Sequence, residues 1–194
     1  MEEQEEAFYK ESLVIAFYRG RSLVSWLIQR FTWGPISHVA IWEPLTNMVY
    51  EAWHRGGVVR RHSFDEGHTP GTHVELYAVR DMSHSVALEV FHYLDTQVGK
   101  KYDFRGIWGF MVRRRRQNPD KWFCSELVME ALRKVKIFPL DRIWPHQVSP
   151  SALRTSPKFV YLGEYVTGKG FRVSTPFVAS RYTEEKEEAT DGTT

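Results

Sequence analysis

A chain of 194 residues that is 42% hydrophobic and carries seven tryptophans is long enough for one well-packed domain and too short for two ordinary ones. A net charge of +2 sets up no strong field toward nucleic acid, and a single cysteine excludes an intrachain disulfide. The longest apolar runs, such as LVIAFY and LVSWLI, fall far short of the ~20 residues of a membrane-spanning helix, so no such segment is expected.

The opening MEEQEEAFYKES reads as coil or a short helix. It is acidic where a secretory signal is basic, and no small-residue cleavage site follows an apolar core. A cytoplasmic protein is therefore expected, with lysis or packaging into a virion as the routes out. A strand is predicted over 13–19 and a helix over 21–31, whose apolar positions Leu23, Trp26, Leu27 and Phe31 predict core packing. SHVAIW and MVYEAW, at 37–42 and 48–53, alternate as half-buried strands do, and the turn-rich EPLTN between them predicts an antiparallel hairpin. GVVRRH and THVELYAV are further strands. HSVALEVFHYLDTQVG has helical spacing with Gly99 as its cap, and a second helix covers about 123–135. A Pro-rich stretch over 139–157 holds a short helical turn, and FVYLGEYV and FRVSTPFV supply late strands. Residues 1–182 are read as a single domain, followed by a polar, acidic tail, 183–194, expected to be disordered.

Cys124 opens the helix of WFCSELVMEALRKV. Unpaired backbone N–H groups and the macrodipole at a helix start favour thiolate over thiol, so this placement points to a nucleophile. A lone cysteine is otherwise a small buried hydrophobe. A thiol needs a neighbouring imidazole to ionise, and that imidazole needs a polar group to orient it. Of eight histidines, His38 stands at the start of a strand. If Glu43–Thr46 form the hairpin loop, Trp42 pairs with Asn47 and His38 with Glu51, and directly opposed residues have Cβ atoms about 5 Å apart.

The order SHVAIW, VYEAW, GKKYDFRG, WFCSELV resembles the circularly permuted branch of the NlpC-type cysteine peptidase superfamily, the papain-like amidases of the YaeF/YiiX kind, in which the histidine precedes the cysteine. The similarity extends from about Leu13 to Leu162, including LVIAFYRG, RSLVSWLIQRFT and SPSALRTSPKFVYLG. It implies an α+β, circularly permuted papain-like fold with a central antiparallel sheet packed by helices. It also implies Cys124 as nucleophile, His38 as base, Glu51 as orienting acid, and Tyr102 lining the cleft, where it donates to the oxyanion or shapes the acyl pocket. Tyr102 reads equally well as an ordinary buried aromatic. In the permuted branch the region of the 21–31 helix helps form a hydrophobic cleft suited to lipid-like substrates, which makes Trp26, Trp33 and Trp108 candidate lining residues.

Arg113, Arg114, Arg115 and Arg116 precede the cysteine and depart from the family pattern. They form either a plain solvated loop or a grip for the phosphates or carboxylates of an anionic polymer, peptide stem or membrane headgroup. His62, His68 and His73, with Asp65 and Glu66, match no standard zinc spacing and read as a loop, and the chemistry calls for no metal or other cofactor. The expected activity is a cysteine hydrolase working through a thioester acyl-enzyme on a cell-wall peptide or related amide. The alternatives are a thioesterase, lipase or acyltransferase on a lipid-like acyl substrate, and a non-catalytic binding or virion structural module. No specific nucleic acid is implied. A thiolate–imidazolium pair predicts a bell-shaped rate curve around neutrality.

Overall fold

The computed structural model describes residues 13–103, 118 and 120–174. Arg113–Arg116, Trp108, the acidic opening, the tail from 183 and the end of FRVSTPFV lie outside the described residues.

Strand β1 (Val14–Arg19) is central because both of its faces are apolar. Ile15 and Phe17 pack into the cluster that holds the helices, while Val14, Ala16 and Tyr18 pack into a second cluster on the opposite face. Around it an antiparallel sheet builds outward in two directions. On one side come β2 (His38–Glu43), β3 (Met48–Trp53) and β4 (Gly57–Arg61). On the other come β5 (His73–Val79), then two late strands that we number β8 (Phe159–Val166) and β9 (Gly170–Ser174). Short strands β6 (Lys101–Tyr102) and β7 (Lys121–Trp122) form a separate parallel pair that the sequence reading lacks. The result is a mixed α+β architecture around a seven-stranded antiparallel sheet.

Four α-helices occur among the described residues: α1 (Leu23–Thr32), α2 (His84–Gln97), α3 (Cys124–Lys134) and α4 (Pro150–Leu153). Ser22, Ser83 and Ser149 cap α1, α2 and α4 by accepting from a backbone N–H three residues on. Helix α3 is buried along most of its length and packs on β2 and β3. No helix among the described residues is long and apolar enough to cross a membrane.

Two expectations need correction. The hairpin closes at Glu43 and Met48, so its loop is Pro44–Asn47, with Asn47 at φ 54°, and Trp42 pairs with Val49. The true register differs from the expected one by two residues. A shift of two preserves the face of every side chain, so His38 and Glu51 stay on one face as diagonal rather than direct neighbours. Helix α1 was expected to turn Leu23 and Trp26 inward, yet they are 74% and 57% exposed and Ile28 is the helix's one buried residue. Leu23, Trp26, Arg30 and Trp33 recur at helical spacing and form an outward stripe. Periodicity identifies such a stripe but not whether anything covers it.

Candidate active site

Strand β2 brings His38 to the site as its first residue. Pairing of β2 with β3 runs over Ile41–Glu43 against Met48–Tyr50, and His38–Ala40 lie beyond it. Strand β3 carries Glu51 on the same face. The two side chains meet there, with His38 Nε2 2.6 Å from Glu51 Oε2 and Glu51 fully buried.

The Glu51 carboxylate has two further partners that the sequence reading missed. Arg61 of β4 donates from Nε to Oε1, and its position two residues along from the direct partner of Glu51, Val59, makes it a diagonal neighbour on the same face. His68 places Nε2 3.2 Å from Oε2. The loop that delivers His68 is pinned at several points. Phe64 is buried against Trp42 and Tyr165, and Asp65 accepts from the Tyr165 hydroxyl at 2.7 Å and from the Gly168 N–H at 2.8 Å. His68 stacks on Tyr18 at 4.2 Å between centroids, and Trp53 stands edge-on to both His38 and His68, at 5.3 and 4.7 Å. The donor atoms of His38, Glu51 and His68 lie within 4.8 Å of one another. His68 does lie in a loop, as the sequence predicts, but the loop brings it onto Glu51, whereas His73 is elsewhere, bonded to Glu164 at 2.6 Å.

Burial acts to raise the Glu51 carboxyl, but hydrogen bonds from His38 and His68 outweigh it and hold the group well below the ordinary carboxylate range. Glu51 is therefore an anion that can only accept, which puts the His38 proton on Nε2 and leaves Nδ1 as the free acceptor. Burial lowers the His38 pKa despite the opposing Glu51 bond, so the ring rests neutral at pH 7.

Cys124 is the first residue of α3. Helix start and sheet meet near the sulfur, where the backbone N–H groups of Val39, one peptide on from His38, and of Ser125 act to favour its anion. The expected thiolate preference at the helix start does not prevail. Burial pushes the thiol up to about 12, against those N–H groups, and the Glu51 charge adds to the rise. Cys124 thus rests as a neutral thiol and His38 as a neutral imidazole.

Tyr102 reaches the same place through the parallel pairing of β6 with β7, which sets it beside Trp122, two residues before the cysteine. Its ring packs on Phe123 at 5.9 Å. Burial first, and then the Cys124 charge, raise its hydroxyl pKa well above the ordinary value. Gly57 fixes the base of this arrangement. The Val58 N–H donates to the Lys100 carbonyl at 2.8 Å, and a Cβ on Gly57 would stand 1.9 Å from that oxygen. Strands β3 and β4, with Glu51 and Arg61, are thereby joined to the segment carrying Tyr102.

No protein-family model matches the chain, and no curated protein does. Among solved structures, the chain is similar to the crystal structure of metalloprotein YiiX from Escherichia coli O157:H7, a DUF1105 protein. The TM-score is 0.56 at 19% identity, over 80% of this chain and 97% of that one. The similarity is one of fold, to a protein of the kind its motifs resemble.

Proposed function

We propose that the chain is a papain-like cysteine hydrolase of circularly permuted order that works through a thioester acyl-enzyme, with an amide of a cell-wall peptide as its first substrate class. The observation that carries this reading is the buried Glu51–His38 hydrogen bond, which leaves Nδ1 of an oriented, neutral imidazole on the strand whose next N–H meets the Cys124 sulfur.

In the first half-reaction His38 Nδ1 takes the thiol proton as the sulfur bonds to the carbonyl carbon. General-base transfer in step with attack suits a thiol that rests protonated. The carbonyl electrons move to oxygen, which accepts from the Cys124 N–H and the Tyr102 hydroxyl in this reading. His38 then gives its proton to the leaving nitrogen as the C–N bond breaks. In the second half-reaction His38 takes a proton from water, the hydroxyl attacks the thioester, and the sulfur leaves to regain its proton. Through both steps Glu51 holds the ring and stabilises the transient imidazolium, while Arg61 and His68 hold Glu51.

The YiiX protein of similar fold is described as a metalloprotein. Here the donor set in question is His38, Glu51 and His68, and these residues do not fit a resident ion. His38 Nε2 and Glu51 Oε2 are 2.6 Å apart, closer than the roughly 3.3 Å between tetrahedral ligands at zinc distances. The Arg61 guanidinium also occupies the same carboxylate.

A second reading, a lipid-like acyl substrate, is favoured by one observation. The stripe Leu23, Trp26 and Trp33 is exposed beside Arg21 and Arg30, the composition of a helix that lies on a membrane surface. Incubation with purified peptidoglycan, phospholipids and acyl-thioesters, read by mass spectrometry, separates the two readings. Cys124→Ala must abolish whichever turnover is found; product release by that variant refutes the thioester route, and no product from any panel with the wild type leaves a binding or virion structural module instead.

A further inference from the structure

A second feature borders the base cluster. A cavity of about 250 Å³ lies between the start of α1, the β3–β4 turn and the loop carrying His68. Its wall includes Arg21, His54 and Arg55 together with the hydroxyl residues Ser22 and Ser25, and among the described residues no aspartate or glutamate lines it. Among the described residues, neither the Arg21 nor the Arg55 guanidinium has a carboxylate partner, although Arg19, Arg60, Arg61 and Arg154 all do. Two unneutralised guanidinium groups around a small, hydroxyl-lined space form an electropositive recess. Burial first, and then the charge on Arg55, lower the pKa of His54 against the opposing charge of Glu51.

The recess shares a wall with the base cluster. Trp53 and His68 line it, and the same two side chains touch His38 and Glu51. A group bound there is therefore separated from His38 by one layer of side chains. At about 250 Å³ the space is below the size of a whole small-molecule site, which runs from about 300 to 1,000 Å³. It suits a charged end of a substrate rather than the substrate entire.

We propose that this recess is a recognition subsite for an oxyanion, a carboxylate or phosphate borne by the substrate a few bonds from the scissile acyl group, with Arg21 and Arg55 as its charged contacts. The proposal rests on the hydrolase reading for the word substrate, but not for the binding itself. Arg21 and Arg55 are far in the chain from Arg113–Arg116, the run that offers such a grip in the sequence, and they line a recess that shares Trp53 and His68 with the base cluster.

The test uses the full chain carrying Cys124→Ala, so that binding is read without turnover and a failed hydrolase assay leaves the result interpretable. Calorimetric titration compares glycerol 1-phosphate with glycerol, and N-acetylalanine with its methylamide. The two arms distinguish a phosphate source from a carboxylate source. We expect the charged member of at least one pair to bind and its neutral partner not to. Affinity should fall by at least about tenfold in Arg21→Gln/Arg55→Gln, the scale of a lost charge-assisted contact, and stay unchanged in Arg142→Gln, an exposed control. Thermal melting of the variants verifies that the fold is retained, as substitution of exposed arginines predicts. Equal binding of neutral and charged members, no binding by any probe, or binding indifferent to Arg21 and Arg55 in folded variants would each overturn the proposal.

Discussion

Replacing Glu51 with alanine tests the site through stability, independently of any substrate. The carboxylate is fully buried and accepts from His38 at 2.6 Å, from His68 at 3.2 Å and from Arg61, whose own side chain is only 13% exposed. Its loss strands a buried guanidinium and two buried imidazoles at once. Breaking a buried ion pair by removing one partner costs about 3–5 kcal/mol, and in a protein of this size each kcal/mol moves the melting point by about 2–4 °C. Glu51→Ala should therefore lower the Tm by between about 6 and 20 °C in differential scanning calorimetry. Glu51→Leu/Arg61→Met should recover part of that loss, because no orphan charge remains. The pH dependence has a defined sign. The Glu51 pKa is depressed on folding, so its contribution is complete above the unfolded value of about 4.3 and is lost as pH falls through the folded one. The His38 pKa is also depressed, so protonation below its unfolded value of about 6.5 favours the unfolded chain. Both groups make the protein most stable at neutral to mildly alkaline pH, with a decline that begins below about pH 6.5. A Glu51→Ala protein that melts within about 2 °C of wild type would refute the account of this carboxylate as the hub of the site.

Because His38 rests neutral and the thiol is pushed up to about 12, kcat/KM should rise as His38 loses its proton, over a range below pH 6.5, and then stay level through pH 9. A bell centred on neutrality would instead indicate a preformed ion pair. Tyr102→Phe should lower kcat by about 10²-fold or more if its hydroxyl serves the oxyanion, with KM and Tm little changed, and unaltered kcat would reduce Tyr102 to packing. Trp26→Ser/Trp33→Ser should weaken co-sedimentation with vesicles containing phosphatidylglycerol without lowering the Tm, since both rings are exposed. Vesicle binding that is absent in the wild type or unaffected by the substitutions would remove the support for a lipid-like substrate.

The strands that hold His38 and Glu51, and the helix that opens at Cys124, are legible in the sequence because each has an uninterrupted period of 2 or 3.6 between turn residues. The hairpin register is not, because EPLTN offers several closures and only packing selects the one in which Asn47 takes the left-handed conformation. Arg61 carried a usable signal. Counting back across the tight turn after Trp53, which pairs with Gly57, puts Arg61 on the Glu51 face. His68 carried none, since a non-periodic loop is positioned by long-range bonds such as Tyr165 to Asp65, about a hundred residues apart in sequence. The thiolate expectation failed for a related reason. A helix start favours the anion locally, but complete burial of Cys124 is a tertiary property and it dominates.

The central claim is that His38 activates Cys124. Its most direct measurement is the rate at which a vinyl sulfone or iodoacetamide modifies Cys124 at pH 7, followed by intact mass in the wild type and in His38→Ala. A thiol with a pKa of about 12 is almost wholly protonated at that pH, so fast labelling requires the imidazole. The wild type should react at least about 10²-fold faster than His38→Ala, the scale of general-base assistance. Equal rates in the two proteins would contradict the claim.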